Sequence, residues 1–173
     1  MSSTVLSRLQ LRFRKYQVLM ASVLFFIPLI LIKIQGEVLP SISAYYYMDN
    51  YQWFVSLLTI ASMMYANSGV HDNRKWYNIL LGLSLWVVVM APYDTWKWTH
   101  FTAAGIFFIG SEIVMIYDSN KEQRKYMWML GFVINLGMAG HFVFGWYSLL
   151  VAEWIGLMPI TAHFIGESLG KIK

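Results

Sequence analysis

Residues 16–33 read Y-Q-V-L-M-A-S-V-L-F-F-I-P-L-I-L-I-K, with no charged side chain between Lys15 and Lys33. A helix of that length, rising 1.5 Å per residue, is matched to the ~30 Å hydrocarbon core of a bilayer. The arm before it, M-S-S-T-V-L-S-R-L-Q-L-R-F-R-K, is basic. A basic arm followed by an apolar run also describes a secretory leader, and S-I-S at 41–43 offers small residues for cleavage. The apolar core ends near Ile34, well upstream of those serines, and the arm is long, so the segment reads as a retained anchor.

The rest of the chain repeats the pattern. Apolar stretches fall at about 16–33, 51–67, 77–92, 99–117, 126–144 and 147–167, one of them more interrupted than the others. The dividers are polar or helix-breaking, such as I-K-I-Q-G-E-V-L-P-S, N-S-G-V-H-D-N-R-K, P-Y-D-T-W-K and D-S-N-K-E-Q-R-K, with a short turn near Gly145. With 58% hydrophobic and 13% charged residues in 173, the chain lies far from the soluble average of roughly half apolar and a quarter charged. The expected fold is an all-α polytopic membrane bundle of six transmembrane helices over residues 16–173, preceded by a basic amphipathic segment at 1–15. In that segment Leu6, Leu9 and Phe13 share one face and Arg8 and Arg12 another.

Orientation follows from the basic residues. With a cytoplasmic N-terminus, Arg8, Arg12, Arg14, Lys15, Arg74, Lys75, Lys121, Arg124, Lys125, Lys171 and Lys173 all lie inside, and only Lys33 and Lys97 outside. Both termini are therefore expected in the cytoplasm, with a bacterial inner membrane as the location. The net charge of +4 is then topological, which argues against nucleic acid as a partner. The absence of cysteine excludes disulfides, thiolate zinc sites and iron–sulfur clusters. No Walker, Rossmann or G-x-S-x-G motif occurs. Trp53, Trp76, Trp96, Trp98, Trp128 and Trp146 cluster at the expected boundaries, as an interfacial belt does.

Ionisable groups inside a span cost about 2.5–3.5 kcal/mol each on insertion scales, so they are candidates for function. In G-H-F-V-F-G-W-Y-S-L-L-V-A-E-W, residues 140–154, His141 and Glu153 flank the turn between the last two spans. By count both lie roughly 6–9 Å below the outer surface. His100 opens the fourth span on the same side, and Asp94 sits in the turn before it. The first outer loop adds Ser41, Ser43, Tyr45, Tyr46, Tyr47 and Asp49. Two imidazoles and a carboxylate are the inventory of a catalytic zinc site with an open position for water. His100, His141 and Glu153 would hold the metal, and Glu153 or Asp94, whichever is not a ligand, would act as general base. The alternative is that His141 and Glu153 bond to one another and clasp the hairpin.

Deeper in the membrane, Glu112 and His163 lie ~20 Å from the outer surface, with Asn135 between the two levels. The series Glu153–Asn135–Glu112–His163 is either a proton or ion path or a set of interhelical hydrogen bonds. A b-type haem between His100 and His141 is a further reading of the outer histidines.

The pattern S-I-S-A-Y-Y-Y after the first span, His100 opening the fourth and a lone glutamate in the last is similar to a group of small bacterial membrane proteins of unassigned function. More remotely the chain resembles the CREST superfamily of membrane metal-dependent hydrolases, which carry a Ser, an Asp and three His near one membrane face. That resemblance implies Ser41 or Ser43, Asp94, His100 and His141 as the matching residues, and zinc as the cofactor. The chain departs from it in lacking an H-x-x-x-H pair in the last span, in the depth of His163, and in having six spans where that superfamily has seven. Two functions follow. The favoured one is a non-enzymatic membrane protein (a subunit, sensor or lipid-binding component) with membrane lipids, a second copy or another membrane subunit as partner. The other is a metal-dependent hydrolase of lipid amides or esters.

Overall fold

A computed structural model describes residues 3–71 and 75–172, with side chains from Tyr16 onward except Met20. The expected amphipathic faces of residues 1–15 and the positions of Arg74 and Lys173 lie outside the described residues. Six α-helices carry the fold, with no strand among the described residues. They are α1 (Ser3–Gln35), α2 (Tyr51–His71), α3 (Tyr77–Met90), α4 (Lys97–Asp118), α5 (Lys121–Phe142) and α6 (Leu149–Ser168), with a short 3-10 turn at Ser43–Tyr47.

Each helix packs on the next, and α6 returns to α1, so the six close into a ring. α4 also touches α6 across it, and Tyr65 of α2 meets Phe107 of α4 and Phe164 of α6 at the centre. The connections 36–50, 91–96 and 143–148 meet at one end of the bundle, hereafter the outer end. Leu150 N donates to Pro40 O, and Tyr47 reaches Asp94. At the opposite end Lys75 pairs with Glu167, Tyr77 Oη donates to Asp118 and Gln123 to Lys171 O.

Three segments are long and apolar enough to cross a membrane: Tyr16–Gln35, α4 and α6. The outward faces are apolar as well, as Ile106, Ile109 and Ile113 on α4 and Met129, Phe132 and Leu136 on α5 are all exposed at helical spacing. Two features differ from the sequence expectation. α3 has only 14 residues, about 21 Å: it starts at Tyr77 as expected, and the Pro92 turn stops it at Met90. α1 runs unbroken through residue 15, so the basic arm and the first apolar run are one helix.

Two glycines explain local geometry. Gly36 ends α1 at φ +76°, a left-handed conformation without penalty only for glycine, and its N–H caps Ile32 O at 2.8 Å. Gly82 lets α3 lie against α2 backbone to backbone. A Cβ there would come within 2.6 Å of Ser62 O and 2.7 Å of Ala66 N.

Candidate functional site

The outer end is built around the loop that follows Gly36. Tyr45 is wholly buried, donating to Glu37 O at 2.8 Å and accepting from Leu39 N at 3.3 Å. Burial pushes its phenol up, so it serves as a neutral donor that folds the loop on itself. Ser41 Oγ accepts from Ala44 N at 3.1 Å and contacts Ser43 Oγ at 3.1 Å, fixing the start of the 3-10 turn. The loop is then stitched to α6 at two points. Pro40 O takes the N–H of Leu150 at 2.6 Å, and Ile42 N donates to Glu153 Oε2 at 2.6 Å. Glu153 thus supplies an acceptor to a loop amide, its one hydrogen bond among the described residues.

His100 sits in the first turn of α4, 4% exposed, with Nδ1 donating to Ala91 O at 2.8 Å. That bond closes the α3–α4 turn and sets the ring's orientation. His141 does the same at the next turn, where Nδ1 donates to Tyr147 O at 2.8 Å. The chain reverses there through Gly145 at φ +64°. Asp94 is exposed and accepts from Tyr47 Oη at 2.5 Å and from Thr95 Oγ1 at 3.1 Å. The Tyr47 bond holds the Asp94 carboxyl below its ordinary range. Burial, then that bond, pushes the Tyr47 phenol up to about 12.

Two cavities meet at this end. A small interior one, about 50 Å³, is lined by Ile42, Ser43, His100 and Glu153 among apolar side chains of α1, α2, α3, α4 and α6. A crevice of about 460 Å³ lies between α4, α5 and α6. Ser43, His100, Ala104, Phe108 and Glu153 line both. From that polar end the crevice descends along α4 for about 18 Å, past Gly105 and Ile109, to Glu112 and Asn135. There Asn135 Nδ2 donates to Glu112 Oε1 at 2.8 Å. Its rim is open, because Trp98 (82% exposed), Phe101, Ile109 and Phe142 stand at the surface.

The structure therefore divides the expected site residues. Ser43, His100 and Glu153 share one cavity wall, and Glu112 and Asn135 form the far end of the same crevice. His141 and Glu153 do not bond to one another, since each takes a backbone partner. His141 and Asp94 line neither cavity. Ser41 supports Ser43 from within the loop. His163 lies elsewhere, in an inner cavity with Tyr65 and Glu167, so the series from Glu153 stops at Glu112. The three-ligand zinc set is not assembled: among the described residues no group of three His, Cys, Asp or Glu side chains is placed to hold a metal ion. Neither of these two cavities brings His100 and His141 together, as a haem between them requires. The sequence reading missed the Ile42 amide and the crevice wall of Ala104, Gly105, Phe108 and Met138. The first is a backbone group that no side-chain pattern marks, and the second depends on helix rotation.

No curated protein and no solved structure matches the chain. One family model does, a family of unknown function (DUF7103), over residues 26–168, which spans α2 to α6, the last ten residues of α1 and the whole crevice; the chain belongs to that family.

Proposed function

We propose that the chain is a six-span membrane protein, with both termini in the cytoplasm of a bacterial cell, that holds an amphipathic lipid in the crevice between α4, α5 and α6. The crevice itself carries this reading. Its volume falls within the ~300–1,000 Å³ of small-molecule sites, and its walls are mainly apolar with a few convergent polar groups. Its open rim lies among side chains that would face acyl chains. The eleven basic residues expected on one side support the orientation.

The polar groups narrow the ligand. Ser43, His100, Glu112, Asn135 and Glu153 line the crevice and no lysine or arginine does. Two carboxylates without a cation repel phosphate and accept hydrogen bonds. The favoured ligand is a lipid whose head donates hydrogen bonds through a hydroxyl, amide or amine near Glu153, with its chain running toward Glu112. No observation favours hydrolysis over binding, because neither a metal set nor a nucleophile–base pair is built around Ser43.

Gly105 provides the test. It lines the crevice, yet a Cβ placed on it meets no atom within 4 Å, so bulk there enters empty space. Lipid retained by the purified protein would be identified by mass spectrometry for wild type and Gly105→Phe. The expected result is a discrete hydroxyl-, amide- or amine-bearing lipid near one per chain, reduced at least fivefold in Gly105→Phe at unchanged thermal stability. Equal retention of bulk phospholipid by both proteins would sink the proposal.

A further inference from the structure

The inner half of the bundle contains a second polar node, remote from the crevice. Tyr65 of α2 and Ser111 of α4 are each 2% exposed, and neither hydroxyl has a hydrogen-bond partner among the described residues. Buried hydroxyls are almost always paired, because an unsatisfied one forfeits its hydrogen bonds to water with nothing in return. Both line one space, with Asn78 of α3 and His163 and Glu167 of α6. Asn78 Nδ2 is engaged by Ser68 Oγ at 3.2 Å, which leaves its amide oxygen as an acceptor. Glu167 is held by its ion pair with Lys75. The space gives the centre of a water molecule about 20 Å³, where roughly 10–15 Å³ suffices for one. An apolar pocket of this size stays dry, whereas one with two unsatisfied hydroxyls and further polar groups does not.

We propose that one ordered water molecule occupies this cavity and bridges Tyr65 Oη to Ser111 Oγ, tying α2 to α4 beside Asn78, His163 and Glu167. The water supplies the partner each hydroxyl lacks. It also makes this node a joint of four helices, α2, α3, α4 and α6, held by hydrogen bonds where the surrounding contacts are apolar.

Met115 makes the water observable. It lines the same cavity and is 1% exposed, so radicals from bulk water do not reach its sulfur. Brief X-ray radiolysis of the full chain in detergent splits a bound water in place and oxidises the side chains touching it. The expected result is methionine sulfoxide at Met115 in wild type, falling several-fold in Ser111→Val, which fills the space. An unlabelled Met115 in wild type overturns the proposal, and this arm needs no variant to fold. Thermal denaturation provides a second readout with opposite signs. With the water present, Tyr65→Phe and Ser111→Ala each lower Tm by about 2–4 °C, and together they lower it little further because both lose the same bridge. In a dry cavity each change removes an unsatisfied group, so unchanged or raised Tm in both also overturns it.

Discussion

Two glycine-to-alanine changes, Gly82→Ala and Gly105→Ala, are expected to move stability in opposite directions. Both residues lie inside helices, where alanine is favoured over glycine by about 0.5–1 kcal/mol. At Gly105 nothing opposes that gain, since the new methyl meets no atom within 4 Å. At Gly82 the methyl would lie 2.6 Å from Ser62 O and 2.7 Å from Ala66 N, both backbone atoms that no rotamer change can move. The α2–α3 crossing must open, which also stretches the 2.7 Å bond from Ser62 Oγ to Gly82 O. Overpacking of this kind costs about 1–3 kcal/mol, sometimes more, and exceeds the helical gain. The helical gain is common to both, so the expected difference between the variants is about 1–3 kcal/mol. Unfolding in mixed micelles of increasing denaturing detergent would measure it, each midpoint compared with wild type. If Gly82→Ala proves as stable as Gly105→Ala, the close α2–α3 contact is wrong, and with it the placement of α3 in the ring.

Two further outcomes test the outer end. Glu153→Leu should destabilise by about 1–3 kcal/mol because the Ile42 amide is left without its acceptor. Glu153→Gln keeps an acceptor oxygen and should fall between Glu153→Leu and wild type. The same denaturation series reads both, and equal stability for all three proteins would mean that Glu153 does not hold the loop. The Tyr47–Asp94 clasp sets a pH dependence at both extremes. Asp94 has its folded pKa lowered, so its contribution is present above the ordinary carboxylate range and fades as pH falls through the folded value. Tyr47 is raised from 10.0 to about 12, so its contribution is complete below pH 10.0 and fades as pH rises toward 12. Tyr47→Phe should flatten both flanks of the Tm–pH curve; unchanged flanks would remove the clasp.

Position along each helix was legible in the sequence, and rotation about its axis was not. Counting residues from Gly145 placed His141 and Glu153 at one level, since a helix rises by a fixed amount per residue. Which way each side chain points depends on how six helices settle against one another. The outcome was decided by backbone groups: His141 turned to Tyr147 O and Glu153 to the Ile42 amide. His100 likewise took Ala91 O. A histidine beside a tight turn finds a free carbonyl within a few residues, and that local partner competes with any shared site. Glu112 and Asn135 met as polar groups on neighbouring helices do in apolar surroundings, with Asn135 Nδ2 also donating to Gly131 O at 3.0 Å. Span length was legible only in part. The apolar run at 77–92 is continuous in composition, yet the helix within it has 14 residues because its ends are set by Tyr77 and the Pro92 turn. A helix of about 21 Å crosses hydrocarbon only with help from its flanks or from local thinning. Trp76 and Trp96, both exposed and bracketing α3 with its following turn, are the side chains suited to anchor those flanks at an interface. The short helix lies beside α4, whose outer turns form the crevice wall, so a bilayer thinned around α3 would bring head groups toward the level of His100 and the crevice.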